Sequence, residues 1–261
     1  MASLDWLVVS VTSFAIFQIL FHYLSAKISA CFCNGYRILT DTQKIDWNSR
    51  VASTVHAFLV GLVSLYLLWF DDAVNSDPVW GDPTLVKLNV GLSAGYLISD
   101  VLLILWFWKA IGDIYFIIHH LTALYAYYYV LGEGMLPYFA NFRLIAELST
   151  PFVNQRWFFE ALLYPKTSKS NIINGLLMAV VFFLVRIAVM PLYYSKMIST
   201  FGTEAFYRLG IQAQFVWIIT SICLDAMNVM WMSKIARGCR KVLLSCKRVK
   251  KANIQENGKQ H

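Results

Sequence analysis

The sequence predicts an all-α fold, a polytopic membrane bundle of about seven transmembrane helices around a central polar cavity. Three observations carry this expectation. Of its 261 residues, 58% are hydrophobic and only 14% charged, whereas about a quarter of a soluble domain is charged. The apolar residues gather into six runs, each near the ~20 residues a spanning helix needs. Titratable residues recur inside those runs, where facing lipid is costly, so they are expected to point inward.

The first run, residues 6–24, is preceded by Asp5, where a signal peptide carries basic residues, and it is longer than the apolar core of such a peptide. It predicts a retained anchor. The second run, 51–70, follows a loop with Lys27, Arg37, Lys44 and Arg50, whereas the third, 88–108, follows one with Asp71, Asp72, Asp77 and Asp82 against Lys87. By the positive-inside rule, the loop at 25–50 is cytosolic and the amino terminus lumenal. "GLSAG" at 91–95 in the third run has the small-residue spacing that lets helices approach closely.

The fourth, fifth and sixth runs are 114–131, 171–194 and 209–232. Beyond them the tail from Lys234 carries nine basic residues, including "KRVKK" at 247–251. The tail is therefore expected to be cytosolic, without fixed order, and attracted to anionic lipid.

Termini on opposite faces require an odd number of crossings. Met135–Val153 is the candidate seventh, missed by hydropathy because it contains Arg143 and Glu147. With it included, 17 of the 22 basic residues fall on the cytosolic side, three on the lumenal side and two inside helices. Trp47, Trp69, Trp80, Trp106, Trp108, Trp157 and Trp231 lie near the expected boundaries, which suits interfacial anchoring.

The five cysteines, Cys31, Cys33, Cys223, Cys239 and Cys246, are odd in number and lack paired zinc spacing, so neither a disulfide framework nor a metal site is expected. The sequence contains no serine-hydrolase elbow, P-loop, dinucleotide fingerprint or zincin motif. It shows no inverted repeat of the transporter kind, and no folded basic face for nucleic acid.

Counting at ~1.5 Å per residue from the cytosolic ends places His56, Asp100, His119, His120, Glu147 and Asp225 within a layer about 9–14 Å deep. Arg186 counts to the lumenal half. Adjacent residues on a helix point about 100° apart, so His119 and His120 divide their roles: one faces the cavity, the other meets a carboxylate. A neutral imidazole oriented in this way serves as base or nucleophile. The alternative is polar glue, with His56 satisfying Asp100 and Arg143 pairing with Glu147 at i, i+4. The stretch 143–160, rich in Ser, Thr, Asn, Gln and Arg and interrupted by Pro151, suits a lipid headgroup, with Asn154 at its centre.

"WNSRVASTVHAFLVG" (47–61), "GYLISD" (95–100), "HHLTALYAYYYVL" (119–131) and "NFRLIAELSTPFVNQRWFFE" (141–160) together resemble the TLC domain, shared by translocation-associated membrane proteins and ceramide synthases. The resemblance covers roughly 40–235, leaving an anchor and linker at 1–39 and the basic tail at 236–261. It implies an endoplasmic-reticulum protein of lipid homeostasis whose cavity takes membrane lipids or acyl chains. In the ceramide synthases the paired histidines are catalytic in passing an acyl group from acyl-CoA to an amine. Carried over, His119 and His120 are candidate catalytic residues with Asp100 as orienter, and His56, Arg143, Glu147, Asn154 and Asp225 are candidate lipid-binding residues. No cofactor is implied beyond acyl-CoA as a substrate. The synthases continue into an Asp-containing motif where this chain has "AELSTPFVNQ", so the resemblance does not extend to ceramide synthesis itself. Two readings follow: a His-dependent acyltransferase, or a non-enzymatic lipid-binding regulator of membrane composition.

Overall fold

The structure, a computed structural model, describes residues 2–257, with side chains placed for 5–241. The described residues form helices and their connections, without strands. Six helices are long and apolar enough to cross a membrane: α1 (Asp5–Phe32), α2 (Asp41–Phe70), α3 (Thr84–Trp106), α4 (Ile114–Glu133), α7 (Lys169–Thr200) and the Gly210–Lys241 part of α8 (Gly210–Asn257). All six coincide with the apolar runs to within a few residues at one end and extend past them at the other, where polar residues continue the helical hydrogen bonding.

Between α4 and α7 lies a broken rod. It consists of α5 (Pro137–Leu144), a 3-10 turn (Ile145–Ser149) and α6 (Thr150–Ala161). This is the seventh element expected at Met135–Val153, shifted toward the carboxyl end. Pro151 has no N–H to donate to the Glu147 carbonyl, so the chain tightens into a 3-10 turn before it. Phe139, Asn141, Leu144, Ser149 and Asn154 are buried. The rod fails a hydropathy test because its surroundings are protein: it packs on α2, α3 and α7.

Small and polar residues hold the helices together. Gly95 of α3 lies so close to α1 that an added Cβ would stand 2.2 Å from the Ser10 carbonyl oxygen. Beside it, Ser13 Oγ donates to the Leu92 carbonyl at 2.6 Å, and Gln18 Nε2 donates to Ser99 Oγ at 3.0 Å. The "GLSAG" stripe is thus the seat of α1. On the other face of α3, Asn89 Nδ2 donates to the Val60 carbonyl and to Ser64 Oγ of α2, both at 3.1 Å. Asn141 Nδ2 of α5 donates to the Ser64 carbonyl at 3.0 Å. Central placement makes α3 the most enclosed span, with 67% of its apolar window buried against 22–39% for the others.

Two local expectations change. Trp47 is buried rather than interfacial: it packs with Tyr36 and Leu39, and its indole N–H donates to Ser29 Oγ at 2.8 Å. Trp69 and Trp106 are exposed at helix ends. The last helix continues to Asn257, through a basic segment for which composition predicts no fixed order. Only Gly238 interrupts the helix formers there, and no proline stops it.

Candidate functional site

The histidines sit on α4, whose start is capped by Asp113 accepting from the Tyr115 amide at 2.7 Å. Their division of labour is visible. His120 is buried and its Nε2 lies 2.8 Å from Asp100 Oδ2 of α3. His119 lines a cavity instead, with its ring 5.7 Å from that of His120 and 5.4 Å from Trp231 of α8. No hydrogen bond to His119 is found among the described residues, and its Nδ1 is buried without a partner.

The cavity measures about 50 Å³, room for ~4 water-sized groups at 10–15 Å³ each. Its polar wall comprises Ser93, His119, Arg143, Glu147, Arg186 and Asn228. A second cavity of about 50 Å³ adjoins it and shares Ala123, Tyr127, Arg143, Tyr193 and Leu224. The second chamber is otherwise mainly apolar, with Val130, Phe139, Val216 and Trp217 in its wall. A polar chamber and a greasy one thus stand side by side, with the five shared residues as their common wall.

Several expected pairings are replaced. Arg143 does not pair with Glu147; its guanidinium grips both carboxylate oxygens of Asp225 on α8, at 2.5 and 3.0 Å. It also lies 3.9 Å over the Tyr193 ring, and the Tyr193 hydroxyl accepts from Trp217 Nε1 at 3.0 Å. His56 does not meet Asp100: its Nε2 is 3.2 Å from Ser93 Oγ, and its ring stacks on Tyr96 at 3.9 Å. Asn154 is a clamp away from the cavity, donating to the Arg50 carbonyl at 3.2 Å and Thr54 Oγ1 at 3.0 Å. Of the expected site residues, His119, Arg143 and Glu147 line the cavity, while His56, Asp100, His120, Asn154 and Asp225 do not.

Arg186, which the sequence count puts toward the lumenal half, faces the cavity beside Glu147, so the residue whose depth is revised is Glu147. Nε donates to the Ala146 carbonyl at 3.1 Å and to Ser149 Oγ at 2.8 Å, and Nη1 donates to Asn228 Oδ1 at 3.0 Å. The sequence count took Asn154 as a helix exit, but the rod continues to Ala161. Glu147 then lies about 21 Å from the rod's end and Arg186 about 26 Å from the start of α7, at 1.5 Å per residue. Arg186 also sits in a π turn, Phe183–Ala188, whose extra residue changes the face presented inward. The only sequence signal for its importance was a lone cation in an apolar run.

The TLC domain profile (TRAM_LAG1_CLN8) matches residues 46–237, a region that contains every side chain of this site. The chain belongs to the TLC domain family. TLC domain-containing protein 4-B of Xenopus laevis is 62% identical over 251 residues, covering 96% of this chain and 95% of the relative. TLC domain-containing protein 4 of Homo sapiens is 53% identical over 255 residues, 97% of each chain. A more distant relative, Topoisomerase I damage affected protein 4 of Saccharomyces cerevisiae, is 28% identical over 243 residues, covering 87% of this chain and 84% of its own. No solved structure matches. The matched region begins at residue 46, within α2, so α1 lies outside it although it packs along α3.

Proposed function

We propose that this TLC domain protein serves lipid homeostasis by holding acyl lipids in the two adjoining cavities, with His119 as the imidazole that meets the ligand. The observation that carries the reading is that a polar chamber lined by His119 adjoins an apolar one across Ala123, Tyr127, Arg143, Tyr193 and Leu224. That arrangement suits one amphipathic molecule, head at one end and chain at the other. We place the protein in the endoplasmic reticulum, with its amino terminus lumenal and its carboxyl terminus cytosolic.

As an acyltransferase it would take acyl-CoA. A neutral His119 nitrogen attacks the thioester carbonyl and the CoA thiolate leaves. An amine or hydroxyl acceptor then takes the acyl group, giving its proton to the imidazole. His120, fixed by Asp100, positions α4 and contributes a polar wall behind His119. One observation favours the non-enzymatic reading: the carboxylate orients His120, whereas the cavity-facing His119 has no orienting partner among the described residues.

The test compares lipid profiles of cells expressing wild type, His119→Ala and His120→Ala. Acyl transfer predicts loss of one product class with His119→Ala at unchanged protein level; pure binding predicts bound lipid on the purified protein and no product on acyl-CoA feeding. Profiles unchanged by either substitution, together with purified protein free of lipid, would sink both.

A further inference from the structure

Most intramembrane charges have a partner. Arg143 is matched by Asp225 and Asp100 by His120. Arg186 and Glu147 are not matched in this way: both line the polar cavity, yet no ion pair within 4.0 Å joins them among the described residues. Each is held and each keeps an open side. Arg186 is only 7% exposed; three hydrogen bonds fix Nε and Nη1, and its guanidinium lies 5.0 Å over Phe182. Nη2 has no hydrogen-bond partner among the described residues and is not among the enclosed polar atoms. For Glu147, Oε2 accepts from Thr150 Oγ1 at 3.0 Å, and Oε1 is likewise unbonded and not enclosed.

The two groups are near enough for their charges to interact, but they do not close on each other. A buried guanidinium and a half-buried carboxylate with free faces on one cavity are costly unless something answers both. An anionic ligand would satisfy Arg186 and repel Glu147; a simple amine would do the reverse. A zwitterion answers both, and the adjoining chamber with Val130, Phe139 and Val216 answers an alkyl chain.

We propose that the polar chamber takes the headgroup of a zwitterionic lipid, with phosphate on Arg186 and ammonium on Glu147, the chain entering the apolar chamber. This rests on the lipid-holding reading above and names its ligand class. Arg186 suits phosphate because a planar fork held from behind presents its remaining N–H groups without loss of rotamer freedom.

The test uses full-length protein in detergent, stripped of lipid and titrated with three lysolipids of one chain length whose headgroups are phosphoethanolamine, phosphate and glycerol. Retention is read by native mass spectrometry. Wild type should hold the zwitterion about tenfold or more over the other two, the difference one charge-assisted contact supplies. Glu147→Gln, nearly isosteric and able to keep the Thr150 bond, should transfer the preference to the phosphate lipid. Arg186→Gln should weaken retention of both phosphate-bearing lipids and, with Glu147 still in place, leave the phosphate lipid the least retained; should it fail to fold, wild type and Glu147→Gln decide the headgroup assignment. Equal retention of all three headgroups by wild type, as a water bridge between Arg186 and Glu147 would give, overturns the headgroup assignment and leaves lipid holding intact. So does a preference that Glu147→Gln does not move. Retention of no lipid at all overturns both.

Discussion

Arg143 and Asp225 illustrate how single side chains settle the interior. A bidentate pair between α5 and α8, stacked on Tyr193, leaves either partner uncompensated when the other is removed. Asp225→Asn should therefore destabilise the protein by about 3–5 kcal/mol, seen as a lower thermal midpoint in detergent. Replacing both, Arg143→Met with Asp225→Leu, should recover most of that loss, since a matched apolar pair has no charge to desolvate. An unchanged midpoint in Asp225→Asn would show that the pair does not bear on stability. The residue types were legible in the sequence: His119, His120 and Asp100 stand out as titratable groups in apolar runs, and Glu147 in the segment that charge balance adds to them. Their partners were not, because Arg143 and Asp225 lie 82 residues apart and which faces meet depends on the rotation of each helix about its axis. The i, i+4 pairing of Arg143 with Glu147 lost to that tertiary choice, helped by the 3-10 turn that intervenes.

At the scale of elements, two irregularities shape the site. The 3-10 turn before Pro151 rotates the chain about 20° more per residue than an α-helix does and so aims Glu147 at the cavity. Pro151→Ala restores an amide that can bond the Glu147 carbonyl. It should leave the thermal midpoint nearly unchanged while weakening lysolipid discrimination several-fold, because the effect falls on aim rather than on packing. Equal discrimination in the variant would remove the turn from the account. Gly95 is the second. A side chain there meets the Ser10 carbonyl and Ser13, both parts of α1 backbone or near it, so Gly95→Leu should separate α1 from α3. The expected loss is about 1–3 kcal/mol or more, and a disulfide cross-link engineered between positions 13 and 92, efficient in the parent, should fail in the variant. Six of the long elements could be read from hydropathy alone. The broken rod could be inferred only from the charge imbalance of the termini, since it is polar where it meets other helices.

At the scale of the whole molecule, the described residues hold six helices long and apolar enough to cross a membrane and one broken rod, and the proposed opposite placement of the two ends requires the rod to cross as well. A glycosylation acceptor appended before Met1 should be modified in microsomes, and one appended after His261 should not; modification at both ends would reduce the rod to a re-entrant element. The sequence by itself determined the membrane class, the positions of the spans, the family and the chemical types at the site, because each of these follows from composition and local order along the chain. Tertiary structure alone decided that His120 takes Asp100 while His119 faces the cavity, that Arg143 belongs to Asp225, and that Arg186 stands beside Glu147. The physical reason is that a helix encodes the depth of a residue by counting from an end the sequence marks only loosely, and its facing by a rotation that packing fixes. Pro151 and the π turn around Arg186 set such rotations locally, and the Gly95 contact with Ser10 and Ser13 does so through neighbours far away in sequence.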